Sequence, residues 1–394
     1  MSPDRSGNPS ATLAPSPKYQ VIATDAAFAE LASGWDALVQ AMPRPSPFLL
    51  HVWLVEWYRH YGRGSELAIQ AAFRGDELVA AFPLVHRSWR GLRVARFLGG
   101  EQSSRADLLL DSGQEPSTGA ALVERASSSH DFAELFGLSS DSRVAQLAAP
   151  GQLHLFKRAD GPVLELTDDW DALYEAKVSG KRRSDLRRRF RKLEQGGSVD
   201  FELLRSADEL EAALTEVFRL HALRWAGLPD GSGFATQTGE AFHRAALRML
   251  ADQGVVRLMM LRFEGRAIAF ALAFALSRRL FGYRTAFDPS FARCSPGLLT
   301  LHELLGAASR EGLQRVEFLG AADQFKVELA DDLEPLHLGL GLAGTPQGRA
   351  IVAARTGARR LREVLSHSPV ARRAYEGARP LLTRLTRSKN VLKG

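Results

Sequence analysis

The sequence predicts an α/β chain built from two successive units with the same order of elements, closed by a basic helical tail. Three observations predict it. Val255 to Phe318 alternates as three strands, a loop containing Ser295-Pro296-Gly297, a helix from about Leu298 to Arg310 and a further strand. The order helix, helix, hairpin, strand occurs once before this stretch and again leading into it. Phe73-Arg74-Gly75 and Phe263-Glu264-Gly265 mark the two hairpin turns, and Val79-Ala80 and Ile268-Ala269 follow them within one residue of the same offset. Each unit is expected to be a mixed central sheet flanked by helices.

With 394 residues and 45% hydrophobic content the chain exceeds what one core usually holds, so two domains are expected. The expected boundaries are a disordered segment over 1–18, a first domain over 19–165, a second over 166–340 and the tail over 341–394. One cysteine, Cys294, excludes an internal disulfide and offers no thiol partner for a metal, which favours a reducing, cytoplasmic setting. The first residues contain no apolar signal core. The longest apolar run, Ala267 to Leu276, is about half a membrane span.

In chain order, Ala26 to Met42 has helical spacing in Phe28, Leu31, Trp35 and Leu38, and Pro47 to Tyr61 repeats it with Leu50, Trp53, Leu54 and Trp57. Leu67 to Phe73 and Leu78 to His86 form a hairpin around Arg74-Gly75-Asp76, and Leu92 to Leu98 adds a strand before Gly99-Gly100. Through Glu165 the remainder of this half is short apolar runs and Ser- or Gly-rich turns. Val199 to Leu204 then predicts a strand, and Ala207 to Trp225 and Thr238 to Gln253 predict two helices.

Charge is unevenly placed. The net of +6 conceals a segment from Pro346 to Gly394 with twelve Arg or Lys against two Glu. A second basic stretch, Lys181 to Lys192, carries eight basic residues and one Asp, with Leu186, Phe190 and Leu193 on one helical stripe. That stripe docks, and the other faces are either solvated or meet an anionic ligand, nucleic acid or membrane. The two halves differ after the third strand. The second has a loop and a helix start at Gly297, suited to a phosphate but equally an ordinary cap. The first runs through Gly99-Gly100-Glu101-Gln102 into another strand.

From about residue 30 to 340 the chain resembles the BioF2-like or cellulose-biosynthesis CelD-like acetyltransferases, a branch of the GNAT superfamily related to the FemABX peptidyltransferases. The resembling residues are Ser46-Pro47-Phe48 with Trp53, the Phe73-x-Gly hairpin, Ser179 to Leu193 and Leu220-His221-Ala222-Leu223-Arg224-Trp225. They continue through Phe287-Asp288-Pro289, Ser295-Pro296-Gly297, Phe318-Leu319-Gly320 and Gln324-Phe325-Lys326. The resemblance implies two tandem GNAT-like domains and acyl transfer from acetyl-CoA or another acyl-CoA to an amine or hydroxyl. It also suggests a setting in envelope or exopolysaccharide metabolism. The pyrophosphate would lie at the helix start formed by Arg293, Ser295, Gly297 and Leu298. The spacing departs from the usual signature, because the positions three and five after Arg293 are Pro296 and Leu298 rather than small residues.

Within that reading, Tyr283 is the candidate acid for the leaving thiolate, or a packed strand tyrosine. Asp288 either holds or deprotonates the acceptor or forms a turn before Pro289, and Lys326 is either a phosphate or oxyanion ligand or a surface lysine. His221, Arg224 and Trp225 either line the acceptor cleft or complete a core. Cys294 has no activating His nearby in sequence, and no metal is expected. FemABX-like transfer from an aminoacyl-tRNA, contacted by the Lys181 to Lys192 helix, is one rival reading. A non-catalytic polysaccharide-assembly accessory protein is the other. The tail, Ile351 to Lys393, either packs on the protein or binds the inner face of an anionic membrane.

Overall fold

The computed structural model describes residues 16–367 apart from 112, 115, 227–232 and 321, with side chains through 362. The tail residues Tyr375, Leu381, Leu382 and Leu385 lie outside the described residues, as does most of the segment expected to be disordered. That segment's last residue, Lys18, instead opens the first strand.

In the first unit β1 (Lys18–Ile22) leads into α1 (Asp25–Ala29), α2 (Ala32–Ala41) and α3 (His51–Tyr61), then β2 (Ser65–Leu67), β3 (Ile69–Arg74) and β4 (Glu77–Phe82). There follow β5 (Leu84–Trp89), β6 (Leu92–Phe97), β7 (Leu109–Leu110), α4 (Pro116–Ser127), β8 (Phe132–Ser139), α5 (Arg143–Leu147) and the long β9 (Leu153–Glu165). The second unit holds α6 (Trp170–Lys177), α7 (Gly180–Glu194), β10 (Val199–Leu204), α8 (Ala207–Trp225), α9 (Gln237–Asp252), β11 (Val256–Phe263), β12 (Arg266–Leu276) and β13 (Arg279–Phe287). It ends with α10 (Pro296–Arg310), β14 (Arg315–Glu317), α11 (Gln324–Leu329), β15 (Asp332–Gly341) and α12 (Pro346–His367).

Two sheets carry these elements. One has the order β1-β3-β4-β7, and the other runs β10-β11-β12-β13-β14-β9-β15-β8-β6-β5-β2. β15, from the end of the second unit, pairs antiparallel with both β9 and β8, so the two units share one sheet. The duplication seen in sequence is real at the hairpins. Gly75 (φ 63) and the pair Glu264 (φ 50) and Gly265 (φ 73) turn left-handed, as two-residue hairpins require, and both hairpins carry a register shift near the turn.

Several expectations are corrected. The run Leu78 to His86 is not one strand: Pro83, which has no N–H to give a ladder, splits it into β4 and β5, and these join different sheets. Ala26 to Met42 is two helices, the first capped by Thr24 Oγ1 accepting from Ala27 N–H. The first half also has a helix after its strands, α4, delayed by the longer loop carrying β7. Its Ser, Thr and Gly content hid it, yet Leu122, Val123 and Ala126 are buried, and a Cβ on Gly119 would meet Leu147 at 2.6 Å. β9 was masked by the Lys, Arg, Asp, Gly and Pro in its middle.

Two apolar layers flank the large sheet. One joins α3, α8 and α9 to Phe270, Phe274 and Phe281; the other packs α6, α7 and α10 on the opposite face of β11 to β13. The α7 stripe docks as expected through Leu186 and Leu193, with Phe190 half-buried. The described part of the tail packs on the protein: Val352 is buried beside Phe132, and Arg355 lies over the Trp89 ring. No helix among the described residues is long and apolar enough to cross a membrane.

Candidate functional site

The feature that organises the second unit is a notch between β13 and β14. These parallel strands pair over Arg279–Phe281 and Arg315–Glu317 only. Beyond Phe281, β13 continues for six residues while β14 stops. Leu319 (φ 53) turns the chain away, with the Gly320 N–H donating to the Phe318 carbonyl at 2.6 Å. On its other edge β13 is bulged. Gly282 pairs with Ala273 and Arg284 with Leu272, so Tyr283 is the extra residue. Past Phe281, the edge of β13 facing the notch therefore carries backbone donors that have lost their ladder partners.

The α10 start lies at the far end of this strand. Ser295 is left-handed (φ 53), and its Oγ accepts from Arg189 of α7 at 2.8 Å. Pro296 has no N–H, while the Leu298 and Leu299 N–H groups both turn back to the Ser295 carbonyl. Among the described residues only the Gly297 N–H of this first turn is left without a backbone acceptor. A Cβ on Gly297 would sit 3.1 Å from Phe287 Cδ1, so glycine brings the helix start against the end of β13. Arg293 is exposed at the loop, and Leu298 is half-buried against the second core.

The same phenyl ring ties in the end of α8. The Arg224 guanidinium lies over Phe287 at 5.3 Å and over Trp225 at 5.9 Å, and Trp225 is 42% exposed. His221, one turn earlier, is buried against Phe234 (4.8 Å) and stacks on Trp225 (6.0 Å). Of the predicted residues, Arg224 of α8 and Gly297 at the α10 start both meet the Phe287 ring at the end of β13, with His221 and Trp225 beside Arg224 and Ser295 beside Gly297.

The remaining predicted residues have other occupations. Tyr283 donates its hydroxyl hydrogen to His243 Nε2 at 2.8 Å, inside a ring of Phe48, Trp53 and Phe274. The tautomer follows from the opposite nitrogen, since His243 Nδ1 lies 2.6 Å from the Gly239 carbonyl and must carry the hydrogen. Burial pushes the Tyr283 phenol up to about 12 and holds His243 neutral, near 3. Asp288 caps the turn that follows it: its carboxylate accepts from the Ser290 hydroxyl (2.6 Å) and N–H (3.0 Å) and pairs with Arg266 at 3.1 Å. The Ser290 hydroxyl chiefly holds it below the usual carboxylate range. Lys326 pairs with Asp323 across one turn of α11 at 3.0 Å.

Sequence reasoning missed three contributors. His243 lies on the apolar face of α9, where its spacing with Phe242 and Leu247 looks like core. Arg189 was lost among the other cations of α7. Arg284 follows Tyr283 directly at the bulge, where its charge reaches His221 and His243 of α8 and α9.

Buried neutral imidazoles make stability depend on pH. His130 and His221, like His243, are lowered by burial, each to about 4. A group whose folded pKa lies below its unfolded value of about 6.5 stabilises the neutral-pH fold and withdraws that support as pH falls toward the folded value. Each contributes on the order of 2 kcal/mol between pH 7 and 5. Asp107, raised to about 6 by burial, runs the opposite way and offsets part of it. The urea midpoint is expected to fall clearly from about pH 7 to pH 5; a flat or rising midpoint contradicts this.

The fold and the notch define a tandem GNAT-like architecture. Residues 180–327 match the family model described as an acetyltransferase (GNAT) domain, a segment lying wholly in the second unit. FemX is similar in structure with a TM-score of 0.58 at 12% identity, over 85% of this chain and 100% of that one. The C-terminal domain of a putative lysylphosphatidylglycerol synthetase from Agrobacterium fabrum has a TM-score of 0.52 at 14% identity, over 83% and 96% of the two chains. L-PGS from Bacillus licheniformis reaches 0.50 at 12% identity, over 82% and 96%. At these identities the likeness shows the fold. Among curated proteins none matches the sequence.

Proposed function

We propose that the protein transfers an acyl group from an acyl-CoA to an amine or hydroxyl, with the donor held by the second unit and the acceptor side shaped by the first. The observation that carries this is the notch, whose unpaired β13 edge runs from the strand opening at Phe281 to the helix start at Gly297. A thioester laid along that edge has its carbonyl polarised by backbone N–H groups near Tyr283 to Thr285. The acceptor lone pair attacks the carbonyl carbon, the C–S bond breaks, and the CoA thiolate takes up the proton the acceptor loses. Pyrophosphate oxygens meet the Gly297 N–H, the positive end of α10 and the exposed Arg293. His221, Arg224 and Trp225 form the acceptor wall.

In this reading Tyr283 and Asp288 are positioning residues. One donates its hydrogen to His243 and the other caps a turn, and neither is poised to move a proton at the reacting atoms. Lys326 reaches a phosphate only when its pair with Asp323 opens.

One observation favours a second donor. The exposed cations of α7, Arg187, Arg188, Arg191 and Lys192, stand beside the Ser295 loop through Arg189, where an aminoacyl-tRNA would find them. The two readings separate cleanly. Under ours, saturating acetyl-CoA raises the melting temperature and the protein releases free thiol with an amine acceptor, while tRNA adds no stability at physiological salt. No response to acetyl-CoA, with tRNA binding that weakens steeply with salt and is lost on neutralising α7, replaces our reading by the second.

A further inference from the structure

Among the described residues Arg284 is a cation without a counter-ion. Its guanidinium lies over the Tyr283 ring at 4.2 Å and donates one hydrogen bond, to the Tyr283 carbonyl at 3.0 Å, while its Nε is buried with no acceptor. Several other arginines with a buried Nε have carboxylate partners: Arg96 pairs with Glu134, Arg105 with Glu317 and Arg315 with Glu334, while Arg74 has the Gln114 side chain as acceptor. Among the described residues no carboxylate pairs with Arg284. Its charge acts instead on Tyr61 of α3, His221 of α8, and His243 and Tyr283, all neutral groups.

Two of those neighbours also have buried polar atoms. Among the described residues His221 Nδ1 is buried without a hydrogen-bond partner, and Tyr61 Oη is buried with only the Gln102 side chain close by. The Arg284 charge thus reaches a phenol and an imidazole from elements of both units, and Trp57 and Phe242 pack on that phenol ring at 6.2 Å and 5.5 Å. A half-buried cation in such surroundings loses hydration that nothing on the chain replaces, and a bound anion would replace it. A guanidinium fork matches a carboxylate or phosphate in two parallel hydrogen bonds, and the phenol can add a third. Arg284 lies one residue past the bulge, on the strand that bounds the notch.

We propose that the acceptor carries an anionic group, a carboxylate or a phosphate, held by Arg284 together with Tyr61 and His221, with its amine or hydroxyl extending into the notch. This rests on the acyl-transfer reading for the role of the anion's carrier, but not for the anion site itself.

The test uses the full chain with saturating CoA, so that a free anion cannot register at the α10 start. Two matched pairs serve as probes: β-alanine with its amide, and O-phosphoethanolamine with ethanolamine. Melting temperature and tryptophan fluorescence are read, the latter because Trp57 packs on Tyr61. The carboxylate or the phosphate member is expected to bind and stabilise, and its uncharged partner to do neither. Which of the two binds names the source of the anion. Arg284→Gln is expected to weaken that binding at least tenfold while keeping the CoA-induced shift, which shows that the variant is folded, and Arg284→Lys to recover part of it. Binding by neither anion, or equal binding by wild type and Arg284→Gln, overturns the proposal. If anions bind in an Arg284-dependent way but CoA gives no shift of its own, the donor reading fails and the anion site stands.

Discussion

Replacing Trp53 by alanine lowers the stability of the folded protein by about 3–5 kcal/mol, the range for removing a large buried aromatic. Trp53 belongs to the first unit, yet its ring packs on Phe242 (4.8 Å), Tyr283 (5.5 Å) and Phe274 (5.7 Å) of the second. It is fully enclosed, and its indole N–H donates to Ser103 Oγ at 3.0 Å. The substitution therefore opens a cavity between the units and leaves a buried hydroxyl without its donor. Trp53→Phe, which keeps most of the ring, should cost less than half as much. Urea denaturation checks both. A loss under about 1 kcal/mol for alanine would show that the two units do not depend on this contact. Because the same cluster holds Tyr283 at the bulge, the alanine variant should also lose acyl transfer under conditions where it remains folded.

Gly297→Glu is expected to abolish stabilisation by acetyl-CoA. A ligand at about a hundred times its dissociation constant raises stability by about 2.7 kcal/mol, and that increment should fall to near zero. The physical causes separate well. A carboxylate at a helix start is favourable to the helix dipole, so α10 keeps its capping electrostatics while phosphate is repelled. The added Cβ must find room 3.1 Å from Phe287, which a small shift of the ring supplies. Gly297→Ala brings the same Cβ without the charge and should keep most of the response. Differential scanning of the three proteins with and without acetyl-CoA checks this. Equal shifts in all three would move the donor away from α10.

The long, strongly periodic elements were legible in the sequence. Ala207 to Trp225 is α8 as its spacing indicates, and the capping box of Ser206 with Glu209 marks its start. The hairpin glycines located both turns, and the α7 stripe docks where the pattern put it. Legibility ended where one residue overrides a run, as Pro83 does between two sheets, or where a strand crosses polar residues, as β9 does. It also ended at the cleft. His221, Arg224, Trp225, Ser295 and Gly297 could be named from motifs, but the bulge that makes Tyr283 an extra residue depends on pairing with Ala273 and Leu272 across the sheet. No spacing within β13 encodes it. For Asp288 and Tyr283 the sequence offered a turn former and a packed tyrosine beside the catalytic readings, but not their partners Ser290 and His243, which meet them only in three dimensions.

The claim on which all of this turns is that one donor site exists per chain, at the notch of the second unit. The first unit has a comparable helix, α4, but β6 leads into a long loop carrying β7 before that helix begins, and β8, which pairs parallel with β6, follows the helix. Isothermal titration of the full chain with acetyl-CoA measures the claim directly. The account predicts a single site with one acetyl-CoA bound per chain, lost in Gly297→Glu. Two sites per chain, or none, would contradict it.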